Sequence, residues 1–482
     1  MLTIRKLAMP WAPAGARNYC LPDKLLLTLT LGEAPEAIPA AMDVRRGFSR
    51  PAAVIDGGAI DRILTRFGGA ARVARVHAAA ASLGTPGRRH CRYDVIEQVS
   101  GVARAFLVEV EPGSNLGPLI DSLAQLSTVE AVSPNYVSVT PFEAIAASLM
   151  HKPDDDGWDS RAMVRASEAL AHEPGDAAVI VGIIDSGTAP HHPELAGRFR
   201  SGYDTVQLSA GSVGPGIELL GDRSQRDDDP SDDYVGHGMG CSGIIGALGL
   251  DMPPGLAGQA QLLPIRALGA ARLPDKSHAV GLGAISDLDA ACKLAIDLGA
   301  KVLNMSFGTD DAALPPHSPK PHAETVRYAC ERGCILVAAS GNDGEETRYW
   351  PAAHPEVIAV GAVSKDSRPA RFSTRGDHVA LCAPGESILT TALDGYQVAT
   401  GTSFAAPFAA ATAALLVARS LRRSQPLDGP GVKQLLMQTA RPFPGGASGS
   451  GAGILDAAAA LAALDASIDA ADNQQQRQVE NG

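Results

Sequence analysis

The sequence lacks the cysteine pattern of a protein held together by disulfides or by a structural metal. Its 482 residues include seven cysteines, an odd number, without the paired spacing of a disulfide framework or of a zinc site. The first 20 residues also lack the continuous apolar stretch of a secretory signal, because Pro10, Pro13 and Arg17 interrupt it. These absences indicate reduced cysteines and predict a cytoplasmic protein, with secretion by a non-standard route left open.

The sequence also lacks an excess of positive charge and, outside one segment, any long apolar run. It carries 41 basic and 53 acidic residues, a net charge of −12, which argues against nucleic acids and anionic membranes as partners. Apart from the segment that begins at Thr402, every run of about 18 residues contains a polar break, so no membrane span is expected. A hydrophobic content of 45% and a charged content of 20% are typical of a globular protein, here with room for two or three domains.

What the chain does contain is a serine at the start of an apolar helix. The motif is Gly401-Thr402-Ser403-Phe404-Ala405-Ala406-Pro407, and no charged residue follows it until Arg419. A helix that is apolar all round is buried in a core, and proline is tolerated near its start. Ser403 would then lie where unpaired N–H groups and the helix dipole favour developing negative charge. Taken alone, Ser403 is equally well interpreted as a helix N-cap.

Two further motifs favour a catalytic serine. The apolar run 178–184 predicts a strand buried on both faces, and it ends in Asp185-Ser186-Gly187. The second motif is Gly236-His237-Gly238-Met239-Gly240-Cys241-Ser242-Gly243, which leads into a helix-like segment. Each motif has a simpler interpretation, as a helix-capping aspartate or as a histidine in a glycine turn. Together, in the order Asp, His, Ser, they predict a catalytic triad in one of its known chain orders.

These motifs resemble those of the subtilisin-like serine peptidases, the subtilases, and the resemblance covers about residues 158–461. It implies that Asp185, His237 and Ser403 form the triad and that Asn342 donates a hydrogen bond to the oxyanion. The sequence departs from the family after His237, where Met239 and Gly240 replace the usual threonine and second histidine. The departure leaves the packing around the imidazole open. The resemblance also assigns substrate binding to five residues, Ser306, Phe307, Gly308, Ser340 and Gly341.

The chemistry explains why these residue types are needed. A serine hydroxyl is a poor nucleophile at neutral pH, so His237 would take its proton and later return it to the leaving amine. Asp185 would orient the imidazole, and Asn342 would stabilise the tetrahedral oxyanion unless it is merely a turn-forming residue. The expected substrate is a peptide or protein, and this scheme requires no cofactor. A catalytically impaired binding protein and a peptide transferase or macrocyclase are the alternatives to an endopeptidase.

The remainder of the catalytic region alternates strand-like and helix-like patterns. Residues 286–298 and 322–332 have apolar side chains at helical spacing. Such alternation predicts an α/β fold, a subtilisin-like parallel sheet with helices on both faces. Apolar strand-like runs lie at 261–268, 301–307, 334–339, 357–363 and 379–383.

The first part of the chain predicts a second, smaller domain. Four strand-like and two helix-like segments follow in the order β-α-β-β-α-β, which indicates a small α+β ferredoxin-like domain. Its later part, about residues 100–140, resembles the subtilase propeptide, which implies an intramolecular inhibitor and chaperone that autoprocessing releases. A substrate-recruiting or scaffolding domain is the alternative. The expected boundaries are 20–140 for this domain, 141–157 for a cleavable linker, 158–464 for the peptidase domain and 465–482 for a polar C-terminal tail.

An acidic insert, about residues 201–234, precedes the histidine motif. A solvated loop is its simplest interpretation. Calcium binding and a preference for basic substrate residues are the alternatives, because hard carboxylate oxygens suit calcium. The acidic residues of the insert are Asp222, Asp227, Asp228, Asp229, Asp232 and Asp233.

Overall fold

A seven-stranded parallel sheet forms the centre of the computed structural model. The structure describes residues 20–480 except 84–91, 141–142, 148–158, 210, 212, 214–216, 224–227, 274–277 and 316, and of 143–147 and 474–480 it describes the backbone alone. The strands are β6 Ile180–Asp185, β7 Tyr203–Asp204, β9 Gln261–Arg266, β12 Val302–Met305, β14 Ile335–Ala339, β16 Ile358–Val363 and β17 Val379–Pro384. Their order in the sheet is β17-β16-β14-β12-β6-β9-β7, with parallel pairing throughout.

Helices cover both faces of this sheet, as the alternating pattern predicts. Side chains of β6 alternate between two buried clusters, with Val181 and Ile183 in one and Ile180 and Ile184 in the other. The first cluster includes residues of α7 His237–Gly246, α10 Thr402–Arg422, α11 Gly429–Thr439 and α12 Ala457–Glu480, together with α6 Ala166–His172. The second includes residues of α8 Ile285–Asp297 and α9 Ala323–Glu331. A short helix, α5 Ser160–Met163, precedes α6.

Helix α10 is the core helix that its composition predicts. Among the described residues it is the one helix long and apolar enough to cross a membrane, but 89% of its apolar window is buried inside the protein. The helix contacts strands β12, β14, β16 and β17 of the central sheet and also helix α7. Its apolar surface is therefore buried against the rest of the protein. Ser403 lies in its first turn.

The N-terminal strands and helices have the ferredoxin-like order. The antiparallel sheet runs β2-β3-β1-β4, and α2 packs against α4 over one face of it. The apolar cluster between them includes Leu27, Leu64, Phe106 and Leu119. The elements are β1 Cys20–Leu29, α1 Ala41–Arg45, α2 Ala59–Gly68, β2 Arg72–Arg75, α3 Val95–Ser100, β3 Ala105–Glu109, α4 Leu116–Leu123 and β4 Val129–Val139.

Strand β4 joins the N-terminal sheet to the catalytic region. Beyond its pairing with β1 it pairs antiparallel with β11 Ala279–Ala284, which continues into β10 Gly269–Arg272 and β8 Glu218–Leu219. Two smaller sheets complete the fold. One pairs β13 Thr309–Asp310 with β15 Tyr349–Trp350, and the other contains β18 Ile388–Thr391, β19 Tyr396–Thr400 and β5 Glu143–Ala147.

Two segments expected to be irregular contain regular structure. In the expected linker 141–157, residues 143–147 form β5, while 141–142 and 148–157 lie outside the described residues. In the expected tail 465–482, α12 continues to Glu480. Asp465 accepts two hydrogen bonds from Arg419, both at 2.8 Å, and Ile468 is buried. The start of the tail is therefore packed on α10, a long-range contact that its polar composition does not reveal.

Buried charges join the N-terminal unit to helix α8. The Lys293 Nζ lies 2.7 Å from Glu97 Oε1 and 2.6 Å from Asp297 Oδ2, and all three side chains are at most 5% exposed. It also donates a hydrogen bond to the carbonyl of Ala78 at 2.9 Å. Buried charges of opposite sign are tolerated when they are paired with each other. Removal of one partner destabilises the protein, because the opposite charge then stays buried without compensation. Lys293 is thus a buried ionic link between the two units, in addition to the pairing of β4 with β11.

We expect Lys293→Met to destabilise the protein by about 3–5 kcal/mol, because it leaves two carboxylates buried without their cation. The measurement is denaturant unfolding of the Ser403→Ala chain with and without this change, so that the nucleophile cannot act on the samples. Arg272→Met is the control, since Arg272 and its partner Glu218 are more than half exposed and should contribute at most about 1 kcal/mol. Equal effects of the two substitutions would contradict the prediction.

Candidate active site

Asp185 and His237 form a buried hydrogen-bonded pair. Asp185 ends strand β6, and His237 begins helix α7 after Gly236, whose φ of 73° favours glycine. His237 Nδ1 lies 2.7 Å from Asp185 Oδ1, which also accepts the N–H of Ser186 at 2.7 Å. Both side chains are at most 1% exposed. The carboxylate of Asp185 therefore accepts hydrogen bonds from two protein groups. It also orients the imidazole so that Nε2 of His237 is directed away from Asp185.

Ser403 is brought to this pair by the start of helix α10. Its backbone carbonyl accepts hydrogen bonds from Ser306 Oγ at 2.9 Å and from Cys241 Sγ at 3.4 Å. The same Cys241 thiol lies 3.7 Å from Asp185 Oδ2. The hydroxyl of Ser403 donates to the carbonyl of Ser306 at 3.2 Å.

Cys241 has a contact that sequence reasoning missed. Its side chain is fully buried. Burial raises the pKa of its thiol well above the usual value, and the charge of Asp185 raises it further. The thiol therefore stays protonated and acts as a weak donor to the aspartate. The position of Cys241 four residues after His237, on the same face of α7, is the signal from which this contact follows.

The two departures from the family's histidine motif fit the packing around them. A Cβ at Gly240 would lie 2.7 Å from Phe404 Cε1 and 2.9 Å from Gln397 Nε2, so no larger residue fits. Met239 is fully buried in the core. The ring of Phe404 also packs on the imidazole of His237, with centroids 5.3 Å apart. The imidazole is thus buried and packed against Phe404 rather than left loose.

Asn342 is oriented by the residue before the nucleophile. Its Oδ1 accepts both the N–H and the hydroxyl of Thr402, each at 2.8 Å. Because a backbone N–H can bond only to the amide oxygen, this contact fixes which end of the side chain is Nδ2. A Cβ at Gly401 would lie 3.3 Å from that Nδ2, so glycine at 401 leaves room for it. The amide donor and the N–H of Ser403 therefore lie beside each other at the start of α10.

The five expected substrate-binding residues follow two neighbouring strands, β12 and β14. Gly308 pairs with Val139 of the chain's own β4, and Gly341 N–H is 3.3 Å from Thr402 Oγ1. Phe307 is buried against His322 on the far side of the sheet, with ring centroids 5.7 Å apart. Its backbone rather than its side chain is therefore available to a substrate. The side chains of Ser306 and Ser340 hydrogen-bond to the carbonyls of Ser403 and Thr374.

One residue of the acidic insert supports the Asp185–His237 pair. Asp232 Oδ2 accepts the hydroxyl of Ser186 at 2.7 Å and the N–H of Gly236 at 2.8 Å. Ser186 Oγ in turn accepts the N–H of Gly238 at 3.1 Å. Asp232 thus connects the residue after Asp185 with the two glycines that flank His237. The sequence places it in an acidic loop, and only the fold brings it to this position.

Comparison with known proteins agrees with this geometry. Residues 176–477 match the model of the subtilase family of peptidases, which is more than half of the chain. The chain belongs to the subtilase family. This subtilase is 31% identical over 337 residues to a thermophilic serine proteinase of Bacillus sp. (strain AK1), a match that covers 68% of the chain and 71% of that protein. It is 30% identical to thermitase of Thermoactinomyces vulgaris, over 56% of the chain and 86% of that protein.

A solved structure supports the same assignment. A protease from Pseudoalteromonas arctica PAMC 21717 superimposes with a TM-score of 0.53 at 25% identity, over 62% of this chain and 94% of that one. The family and these relatives confirm the predicted α/β fold and identify the chain as a serine-type endopeptidase, a hydrolase. Protein or peptide substrates follow from that activity.

A second buried carboxylate holds the elements that carry His237 and Ser403 together. Glu194 is fully buried, and its two oxygens accept the hydroxyl of Tyr396 in β19 and four backbone N–H groups of the loop after α7. Burial alone would raise the pKa of Glu194, but these hydrogen bonds outweigh it and the pKa is lowered. The four N–H groups belong to Gly249, Leu250, Asp251 and Met252, at 2.7–3.2 Å.

We expect Glu194→Gln to destabilise the protein by about 1–3 kcal/mol at pH 7, since an amide group presents donors where the loop needs acceptors. A lowered pKa in the folded state stabilises the protein above the unfolded-state pKa, and this contribution is lost as the pH falls through the lower folded pKa. The difference in unfolding free energy between wild type and variant should therefore shrink on acidification below about pH 4. Glu168→Gln, at a position whose side chain is 58% exposed, is the control and should change little. A difference that does not depend on pH would contradict this role.

Proposed function

We propose that this subtilase hydrolyses peptide bonds with Ser403 as nucleophile, His237 as general base and acid, and Asp185 as the residue that orients the imidazole. The observation that carries the proposal is the buried 2.7 Å hydrogen bond between His237 Nδ1 and Asp185 Oδ1, beside the first turn of α10. A buried aspartate on Nδ1 leaves Nε2 as the proton acceptor and stabilises the imidazolium that forms.

The reaction proceeds in two halves. Ser403 Oγ attacks the substrate carbonyl carbon while its proton passes to His237 Nε2, and the oxyanion is held by Asn342 Nδ2 and the N–H of Ser403. The C–N bond then breaks as the imidazolium gives its proton to the leaving amine, which leaves an acyl-enzyme. Water attacks the ester, its proton passes to His237, and the proton returns to Ser403 Oγ as the acid product departs.

No cofactor takes part in these steps, and a calcium ion would have a structural role only. Three carboxylates in the described part of the acidic insert already face protein groups, which argues against a preformed calcium cage built from them, and Asp227 lies outside the described residues. Asp204 pairs with Arg266, Asp228 pairs with Arg46, and Asp232 accepts hydrogen bonds from Ser186 and Gly236. Among the described residues the triad aspartate and histidine with Cys241 form the one cluster of three possible metal ligands. We assign one residue of the insert, Asp232, to support of the triad.

The N-terminal unit is proposed to be an intramolecular inhibitor. Its last strand lies in the cleft as a substrate would, with Thr140 N–H 3.1 Å from the carbonyl of Gly281 and Val139 paired with Gly308. The next described strand, β5, pairs with β19 in the register Glu143 to Thr400, three residues before Ser403. The two strands thus lie on opposite sides of the nucleophile. We propose that autoprocessing cuts one of the three peptide bonds that join Thr140 to Glu143.

The two alternative functions that the sequence left open can be distinguished by experiment. A binding-only protein would leave Ser403 unreactive, and a transferase or macrocyclase would form the acyl-enzyme but pass it to an amine rather than to water. The described contacts of His237 and Asn342 favour hydrolysis or transfer over the first alternative. The mass of the product separates the remaining two, since hydrolysis adds one water and cyclisation adds none.

Ser403→Ala is expected to abolish both labelling by a fluorophosphonate and peptide hydrolysis while the fold is retained. Asn342→Ala should still be labelled but should lose about 10²–10³ of its turnover, a magnitude known from the corresponding subtilisin substitution. Intact-mass spectrometry and kcat on a short peptide measure the two effects. Wild-type protein that is never labelled, even after limited proteolysis of residues 141–157, would support the binding-only alternative.

We expect the wild-type chain to appear as two fragments and the Ser403→Ala chain as one. A segment tethered at the active site has a high effective concentration there, so its cleavage should precede that of any added substrate. Mass spectrometry of the new termini should place the cut between Thr140 and Glu143, and the released fragment should inhibit in trans. Full hydrolytic activity in an uncut wild-type chain would instead make residues 20–140 a permanent accessory domain.

A further inference from the structure

Tyr349 lies between the two chain segments that flank the nucleophile. Resting on the proposed function, we propose that its ring closes the space that would receive the substrate side chain before the scissile bond, so that the enzyme cleaves after small residues. This space admits glycine, alanine or serine at that position of the substrate.

The two segments emerge from adjacent strands of the central sheet. Residues 306–308 follow β12 and residues 340–342 follow β14, and these strands pair at Met305 and Ala338. Each segment contacts the start of α10, the first through Ser306 Oγ and the second through the N–H of Gly341. The gap between the segments therefore opens directly beside Ser403.

A bound substrate must direct one side chain towards this gap. The strand β4 shows how an extended chain lies in the cleft, between β11 on one side and Gly308 on the other. A chain held between two such edges directs its side chains either outwards or into the floor beneath it. Where the substrate carbonyl lies against Asn342 and Ser403, the floor is the gap between segments 306–308 and 340–342.

The ring of Tyr349 touches both walls of the gap. A Cβ at Gly341 would lie 2.5 Å from Cδ2 and 2.6 Å from Cε2 of the ring, so the ring packs directly on this glycine. On the opposite wall, a Cβ at Gly308 would lie 3.2 Å from the Cβ of Tyr349 and 3.4 Å from its Cδ1. One aromatic side chain thus spans the distance from one segment to the other.

Tyr349 is also held in place. Its backbone pairs with Asp310 in the β13–β15 sheet, which continues directly from Gly308. Its hydroxyl lies 3.4 Å from Asp343 Oδ2, and that carboxylate is fixed by Thr374 Oγ1 at 2.7 Å. The side chain is 7% exposed and belongs to the same buried cluster as Val139. A large substrate side chain could enter only by displacing a packed ring, which close-packed interiors resist.

The test compares kcat/KM for peptide anilides that differ only in the residue before the scissile bond. Wild-type protein, used as it is purified with any bound N-terminal fragment, should prefer Ala to Phe by about tenfold or more. Tyr349→Gly should shift this ratio towards Phe by about tenfold or more, whereas Tyr349→Phe retains the ring and should retain the preference. Because both peptides are cleaved by the same preparation, the ratio of the two kcat/KM values does not depend on the concentration of active enzyme.

Two controls keep the outcomes separate. Tyr328→Phe alters a buried tyrosine of α9, where its hydroxyl contacts Asp297, and should leave the ratio unchanged. If Tyr349→Gly does not fold, Tyr349→Ala and the wild-type preference still decide the question. Wild-type cleavage after Phe or Leu as fast as after Ala would overturn the inference while leaving the endopeptidase intact. A wild-type protein that cleaves none of the peptides and is not labelled by a fluorophosphonate would instead contradict the proposed function.

Discussion

A carboxylate buried at the edge of a parallel sheet is the constraint around which the active site is arranged. Asp185 is completely enclosed, and a charge in that position is tolerated only if donors surround it. The imidazole of His237, the N–H of Ser186 and the thiol of Cys241 supply them. The donors impose the rest of the local structure, because helix α7 must begin at His237 and place Cys241 one turn later. The nucleophile helix is then held against the same thiol.

The sequence was sufficient for the parts of the fold that depend on short-range patterns. The apolar run ending in Asp185 became the buried strand β6, and the uncharged segment after Thr402 became the core helix α10. In the first part of the chain the four strands and the two longer helices follow the predicted β-α-β-β-α-β order, with the short helices α1 and α3 in addition. Each of these strands and helices is local, so each is visible in a short stretch of consecutive residues.

The rest depends on contacts between distant residues, which composition does not reveal. Asp232 looks like any acid in a loop until Ser186 approaches it, and Glu194 acquires its role only when the loop after α7 closes over it. The polar segment from Asp465 is helical because Arg419 on α10 pairs with it. Tyr349 is a similar case, because only the fold brings its ring between residues 306–308 and 340–342. In each case a polar or aromatic side chain has two plausible environments, and the tertiary fold selects one.

The double pairing of strand β4 has a consequence for how the protein is synthesised. The ribosome completes β4 before it makes β11 and Gly308, both of which come to lie beside that strand. The N-terminal sheet, whose contacts are comparatively local, is able to form while the remainder is still being translated. It then offers an exposed strand edge on which β11 can pair as it emerges, which reduces the cost of ordering a distant edge. Ser403 is synthesised later still, so the strand that pairs with Gly308 is already present when the start of α10 is added to the chain.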